Sequence, residues 1–167
     1  MKMNRAPAGV GRGKAGFSLL ELIVVVAVIM ILAAVAIPNL LKSKMAANES
    51  AAAGALRSLA TEEVNYDVSY QGGFSSTLAQ LGPPPSGTQA SATNADLIDQ
   101  VLAAGTRSGY TFVYTPSGSG PVTGYKINAN PISPGTTGQW YFYVDQTNVI
   151  RREFNAPAGP TSTPLPQ

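Results

Sequence analysis

The residue whose chemistry most demands an explanation is Glu21. It stands inside an apolar segment that opens at Phe17 and runs unbroken from Leu22 to Ile37. As a helix, residues 17–37 would span ~31 Å at about 1.5 Å per residue, close to the hydrocarbon core of a bilayer. An ionised glutamate at the centre of that core costs about 2.5–3.5 kcal/mol on insertion scales, so the carboxylate requires a partner of opposite charge. Just before it lies a second chemical feature, the Gly16-Phe17 junction in Lys14-Ala15-Gly16-Phe17. A residue without Cβ lets a protease approach the backbone closely. The leader up to this point carries Lys2, Arg5, Arg12 and Lys14 and no acid.

Leader charge, Gly-Phe junction, glutamate offset and apolar length together resemble the class III prepilin signal of type IV pilins and of the pseudopilins of type II secretion. The resemblance implies that a membrane prepilin peptidase cuts after Gly16 and that Phe17, the new N-terminal residue, is methylated. It also implies that the carboxylate of Glu21 pairs with the N-terminal amine of a neighbouring copy during filament assembly. The implied partners are the peptidase, other copies of the chain in a helical filament, the assembly platform with its ATPase, and the inner membrane. Two simpler explanations compete. A secretory signal peptide places its small-residue cleavage site after the apolar run; Ala33-Ala34-Val35-Ala36 imitates one, but the run continues through Ile37, Pro38 and Leu40. A plain membrane anchor explains the length and leaves Glu21 without a reason.

Composition removes several function classes. The chain has no cysteine and no histidine, which excludes disulfides, thiol nucleophiles, Cys/His zinc sites and a Ser-His-Asp triad. No catalytic residue, cofactor or metal is expected. The formal charge of +2 is misleading, because removing the four leader bases leaves seven basic and nine acidic residues, a net −2. Such a mature chain does not favour nucleic acid as a partner. Basic leader charges hold the N-terminus in the cytoplasm before assembly and place residue 40 onward outside.

The elements that would position these residues follow from periodicity. Pro38 lacks an N–H and should kink a helix that otherwise continues. After it Leu41, Met45, Ala52, Leu56, Leu59, Tyr66 and Tyr70 form an amphipathic stripe, with Lys44, Glu49, Arg57 and Glu62 opposite and Gly72-Gly73 ending the helix. Residues 76–81 read as a short turn, and residues 95–104 as a second helix. Thr93 or Asn94 would cap that helix, Leu97, Ile98, Val101 and Leu102 would form its buried face, and Gly105 would close it. From residue 109 the period becomes two, giving four strands in an antiparallel meander. The tail from residue 156, with four prolines, reads as extended and mobile. The expected fold is α+β: a long N-terminal helix, half transmembrane and half amphipathic, packed on a four-stranded antiparallel sheet, as the pilin resemblance also implies. The expected divisions are a leader (1–16), a filament-core helix (17–38), an amphipathic half (39–71), a loop with a short helix (72–108), a sheet (109–155) and the tail (156–167).

Other candidates are weaker. Asp145-Gln146-Thr147-Asn148 offers oxygens to a calcium ion, but Asp and Asn there more often shape a hairpin turn. Glu62-Glu63 and Asp96/Asp99 read as solvated helix faces. Asn48-Glu49-Ser50 matches a glycosylation acceptor in mid-helix. Lys126, Arg151 and Arg152 form at most a small basic patch. Phe17 is the only aromatic residue before Tyr66, which argues against a conducting aromatic ladder in the helix. The resulting expectation is a structural pilus subunit, bound in the inner membrane before assembly and part of an extracellular filament afterwards. A periplasmic pseudopilus subunit of type II secretion is the alternative, and a minor tip subunit acting as adhesin or DNA-capture module a further one.

Overall fold

A computed structural model describes residues 16–119 and 121–166. The leader expected over residues 1–16 therefore lies, Gly16 apart, outside the described residues. The chain forms two compact units, Met1–Asn39 and Leu40–Gln167.

Helix α1, Leu19–Tyr70, is 52 residues long and continues through Pro38. From residue 50 to 60 it is rich in alanine and leucine, the strongest helix formers. Its C-terminus is set by Gln71, which adopts the left-handed conformation (φ 50°) just past Tyr70. Gly73, at φ 87°, serves a different purpose from stopping the helix. A Cβ there would run into the Val122 carbonyl, with which Phe74 N–H makes a 2.9 Å hydrogen bond.

Within the second unit, helices α2 (Leu78–Leu81) and α3 (Gln100–Ala103) precede a sheet of six strands, two more than periodicity indicates. The strands are β1 Thr106–Arg107, β2 Tyr110–Ser117, β3 Gly124–Pro131, β4 Trp140–Asp145, β5 Arg151–Phe154 and β6 Thr163–Pro164, each antiparallel to the next in chain order. The two additional strands have two residues each, too short for an alternation to declare itself. Ala52, Leu56 and Leu59 of α1 join Tyr110, Phe112, Tyr125, Ile127, Ala129, Phe142 and Val144 in one core. Tyr114 and Tyr125 stack at 6.0 Å, and Phe74 meets Tyr125 edge-on at 4.9 Å, adding aromatic contacts to that core.

Three further expectations need correction. The second helix is four residues long and capped by Asp99, whose side chain accepts from Val101 N and Leu102 N. Residues 95–97 are not helical, because their amides bond to the carbonyls of Gln80, Gly82 and Leu81 at the end of α2. Val101, expected inside, is 58% exposed. The amphipathic stripe begins later than expected, since Leu41 is still exposed. The proline-rich tail docks instead of trailing: β6 pairs with β5, Leu165 N bonds to Ile150 O at 2.8 Å, and Asn128 Nδ2 donates to Ala158 O at 2.8 Å. Prolines prevented an alternating pattern there, yet Pro164 still fits an edge strand, where its missing N–H costs nothing.

Candidate functional site

The site that could assemble or be processed is the start of α1. Ser18 precedes the helix; its Oγ accepts from Leu20 N at 3.2 Å and its carbonyl from Leu22 N at 3.2 Å. Ser18 thereby serves as the helix cap, a role unassigned from sequence, although the Ser-x-x-Glu spacing of Ser18 and Glu21 is its signature. Glu21 falls in the first turn, where the helix dipole favours an anion by about 0.3–1 kcal/mol. Capping alone gives no reason for a charged residue within an otherwise apolar run. Glu21 is exposed, and no partner for its carboxylate is found among the described residues.

Around it the apolar residues face outward. Phe17 is 84% exposed, and the side chains of Leu22, Ile29 and Ile31 are all more than half exposed. This helix contains a stretch long and apolar enough to cross a membrane. No Cβ placed at Gly16 would meet another atom within 4 Å. The fold of the described chain therefore does not require glycine at that position.

The second unit holds a buried polar centre that sequence reasoning assigned to solvent. Glu63 is fully buried, and so is Ser75. Ser75 N donates to Glu63 Oε2 at 2.9 Å and Ser75 Oγ to Oε1 at 2.6 Å, while Tyr114 Oη donates to the Ser75 carbonyl at 2.6 Å. Burial pushes the Glu63 carboxyl above its ordinary value of 4.5, and the Ser75 hydrogen bonds offset this only in part. Burial likewise raises the Tyr114 hydroxyl. The signal was present in the spacing: the stripe steps from Leu59 to Tyr66, and position 63 completes its three-four-three rhythm. The centre ties the end of α1 to the segment that follows it, and it is closed to solvent.

The remaining candidates resolve into structural roles. Asp145 Oδ1 accepts from Thr147 N and Oγ1, and Oδ2 from Tyr143 Oη. Burial would raise this carboxyl, but those three bonds outweigh it and hold it low. The carboxylate thus shapes the hairpin turn. Asp99, besides capping α3, pairs with Arg107 at 2.7 Å. Asn48 Nδ2 donates to Thr137 O, and Glu49 Oε1 accepts from Gln139 N at 2.7 Å. The suggested basic patch is divided by the sheet. Arg152 stands opposite the core residue Phe142 and lies over Trp140 at 4.4 Å, whereas Arg151, opposite Tyr143, bonds to Ser162 O.

Residues 11–37 match the family model of the prokaryotic N-terminal methylation motif, the class III signal of type IV pilin-like proteins. The match takes in the Gly16-Phe17 junction, Glu21 and the apolar run. No curated protein and no solved structure matches the chain significantly.

Proposed function

We propose that the chain is a structural subunit of a type IV pilus, cut after Gly16, N-methylated at Phe17 and polymerised through its N-terminal helix. The observation that carries this reading is an exposed apolar helix with one unpartnered carboxylate, coinciding with the methylation motif. An exposed apolar stretch of this length cannot remain in water. Lipid covers it before assembly, and other copies of the same helix cover it afterwards. Glu21 then meets the amine of a neighbouring Phe17, so only a correctly placed subunit neutralises its charge. Pro38, which withholds one helix hydrogen bond, supplies the local loosening that such packing uses.

The peptidase, the assembly platform with its ATPase and the inner membrane are the partners this reading entails, and the chain itself performs no catalysis. A subunit of a secretion pseudopilus would be processed and packed in the same way. The pilus is preferred because the carboxylate of the Asp145 turn is already engaged by Thr147 and Tyr143, leaving it ill suited to coordinate calcium as in major pseudopilins.

Gly16→Leu tests the processing step. Because a side chain at position 16 has free space around it, the variant should fold and insert normally yet remain uncut. Intact-mass analysis of membrane fractions should find the wild type shortened to a methylated Phe17 and the variant at precursor mass. Normal mature mass in the variant would place the cut elsewhere and overturn this reading.

A further inference from the structure

The Glu63 carboxyl has no role in filament assembly, yet it lies inside the second unit, fully buried and without a base beside it. Among the described residues the one ion pair is Arg107–Asp99. The titratable groups that face Glu63 are hydroxyls: Tyr66 on its own helix, Tyr114 on β2 and Tyr125 on β3. Burial raises all three above the ordinary tyrosine value, so each is neutral at neutral pH. Asp145 offers a contrast, since it is only partly buried and three donors hold it ionised. Glu63 has two donors within reach, Ser75 N and Ser75 Oγ, for the roughly four lone-pair sites of a carboxylate. Tyr114 has no hydrogen to add, because its own goes to the Ser75 carbonyl.

The hydrogens of this centre can be counted. Ser75 Oγ carries one, and it has two oxygen neighbours, Glu63 Oε1 at 2.6 Å and Thr77 O at 3.2 Å. An ionised Glu63 adds none, so the Ser75 hydroxyl serves one neighbour and turns a lone pair toward the other. A neutral Glu63 supplies the missing hydrogen. Its Oε1–H donates to Ser75 Oγ, Ser75 Oγ–H donates to Thr77 O, and Oε2 still accepts from Ser75 N at 2.9 Å. The 2.6 Å bond then runs opposite to its direction in the ionised state, and every short contact in the centre is a hydrogen bond.

We propose that Glu63 is a neutral carboxylic acid in the folded chain at neutral pH and acts as a switch, whose ionisation turns the Ser75 hydroxyl from Thr77 to the carboxylate and releases the start of α2. Thr77 stands directly before α2, and its side chain makes no capping bond. Its carbonyl therefore does the holding, accepting from Gln80 N at 3.1 Å as well as from Ser75 Oγ. Carbonyls of Gln80, Leu81 and Gly82 in turn hold the amides of residues 95–97, so a loosened α2 frees a second segment. On ionisation the proton passes to water, which requires the closed centre to open. Burial, the largest influence on this carboxyl, pushes it upward and agrees with the neutral form. The stabilisation is present while the proton is bound and is lost as pH rises through the folded value. This inference does not depend on the filament reading.

Infrared spectroscopy of the detergent-solubilised full chain at neutral pH tests the proton directly. The wild type should show a protonated-carboxyl band that Glu63→Gln lacks and that fades as the pH is raised. Glu63→Gln imitates the neutral acid, since its Oε1 can accept from Ser75 N and its Nε2 can donate to Ser75 Oγ. The variant should melt at or above the wild-type temperature at neutral pH. As the wild-type band fades, amides of residues 78–82 should exchange about tenfold faster than in Glu63→Gln at the same pH, a comparison that cancels intrinsic base catalysis. A missing band at neutral pH, or a glutamine variant less stable than wild type there, would mean an ionised Glu63 and overturn the proposal. A protonated Glu63 whose titration leaves exchange at residues 78–82 unchanged would overturn the switch. Should Glu63→Gln fail to fold, the band is read in Glu21→Gln, which removes the glutamate of the apolar run, and its absence there is equally decisive.

Discussion

One helix is put to two uses. Around Ile31 its side chains are apolar and exposed, 68% for Ile31 itself, while around Leu56 they are apolar and enclosed, with Leu56 wholly buried. Local propensity cannot distinguish the two stretches, since both are continuous helix. The difference lies in what covers them. Residues 52–66 are covered by a sheet from the same chain, so their burial stabilises a fold. Residues 19–41 find no such cover among the described residues, and under the proposed reading lipid or another copy supplies it. The charged groups divide in the same way. Glu63 is satisfied by Ser75 from its own chain, whereas Glu21 is exposed and has no partner among the described residues.

The largest consequence is an asymmetry in core truncation. Leu56→Ala should destabilise the folded Leu40–Gln167 unit by about 2–5 kcal/mol through lost burial and a residual cavity. Leu32→Ala, at a position 64% exposed, should leave its unfolding midpoint unchanged. Thermal unfolding of the detergent-solubilised chain followed by Trp140 fluorescence compares the two. Equal effects would erase the distinction between the stretches.

The two glutamates sharpen the comparison at a smaller scale. Glu63→Ala should cost about 1–3 kcal/mol, because Ser75 N and Oγ lose their buried acceptor. Glu63→Gln keeps the shape and removes the titration. Since the folded-state carboxyl is raised above 4.5, its contribution is fully present below that pH and is lost as pH rises through the folded value. Stability of the wild type should therefore fall as pH rises above 4.5, and the Gln variant should be flatter over the same window. An identical pH profile would show that the buried carboxyl is not perturbed.

The smallest expected effect is none. Reductants and chelators should leave the melting temperature unchanged, because aromatic and aliphatic burial holds the sheet on its helix. A calcium-dependent rise of several degrees would move the reading toward a pseudopilus subunit and make Asp145 the first residue to replace.

The sequence makes the two ends of this comparison unequally legible. The extent of α1 and the alternation of Tyr110, Phe112, Tyr125, Ile127, Phe142 and Val144 follow from period, because each repeats over several residues. The six-strand count was not readable, since β1 and β6 are dipeptides held by pairing partners that are remote from any local pattern. Tertiary hydrogen bonds overrode helix propensity at residues 95–97, where α2 carbonyls claim the amides. Glu63 is buried because its position on the stripe between Leu59 and Tyr66 outweighs its charge, which by itself indicates a solvated face. The N-terminal methylation motif is legible because it sets residue types at short spacing, and the family match covers the same residues.

Glu21→Ala puts insertion and assembly in opposition. Membrane fractionation and a filament shear assay on the same cells measure both. Removing the carboxylate should leave insertion equal to or better than wild type, because a charge leaves the apolar run. Filament yield should fall by about two orders of magnitude, since the neighbouring Phe17 amine is left buried without a counter-ion, a loss of about 3–5 kcal/mol. Wild-type yields of sheared filaments built only from the variant would contradict the role assigned to Glu21 and return the segment to a plain anchor.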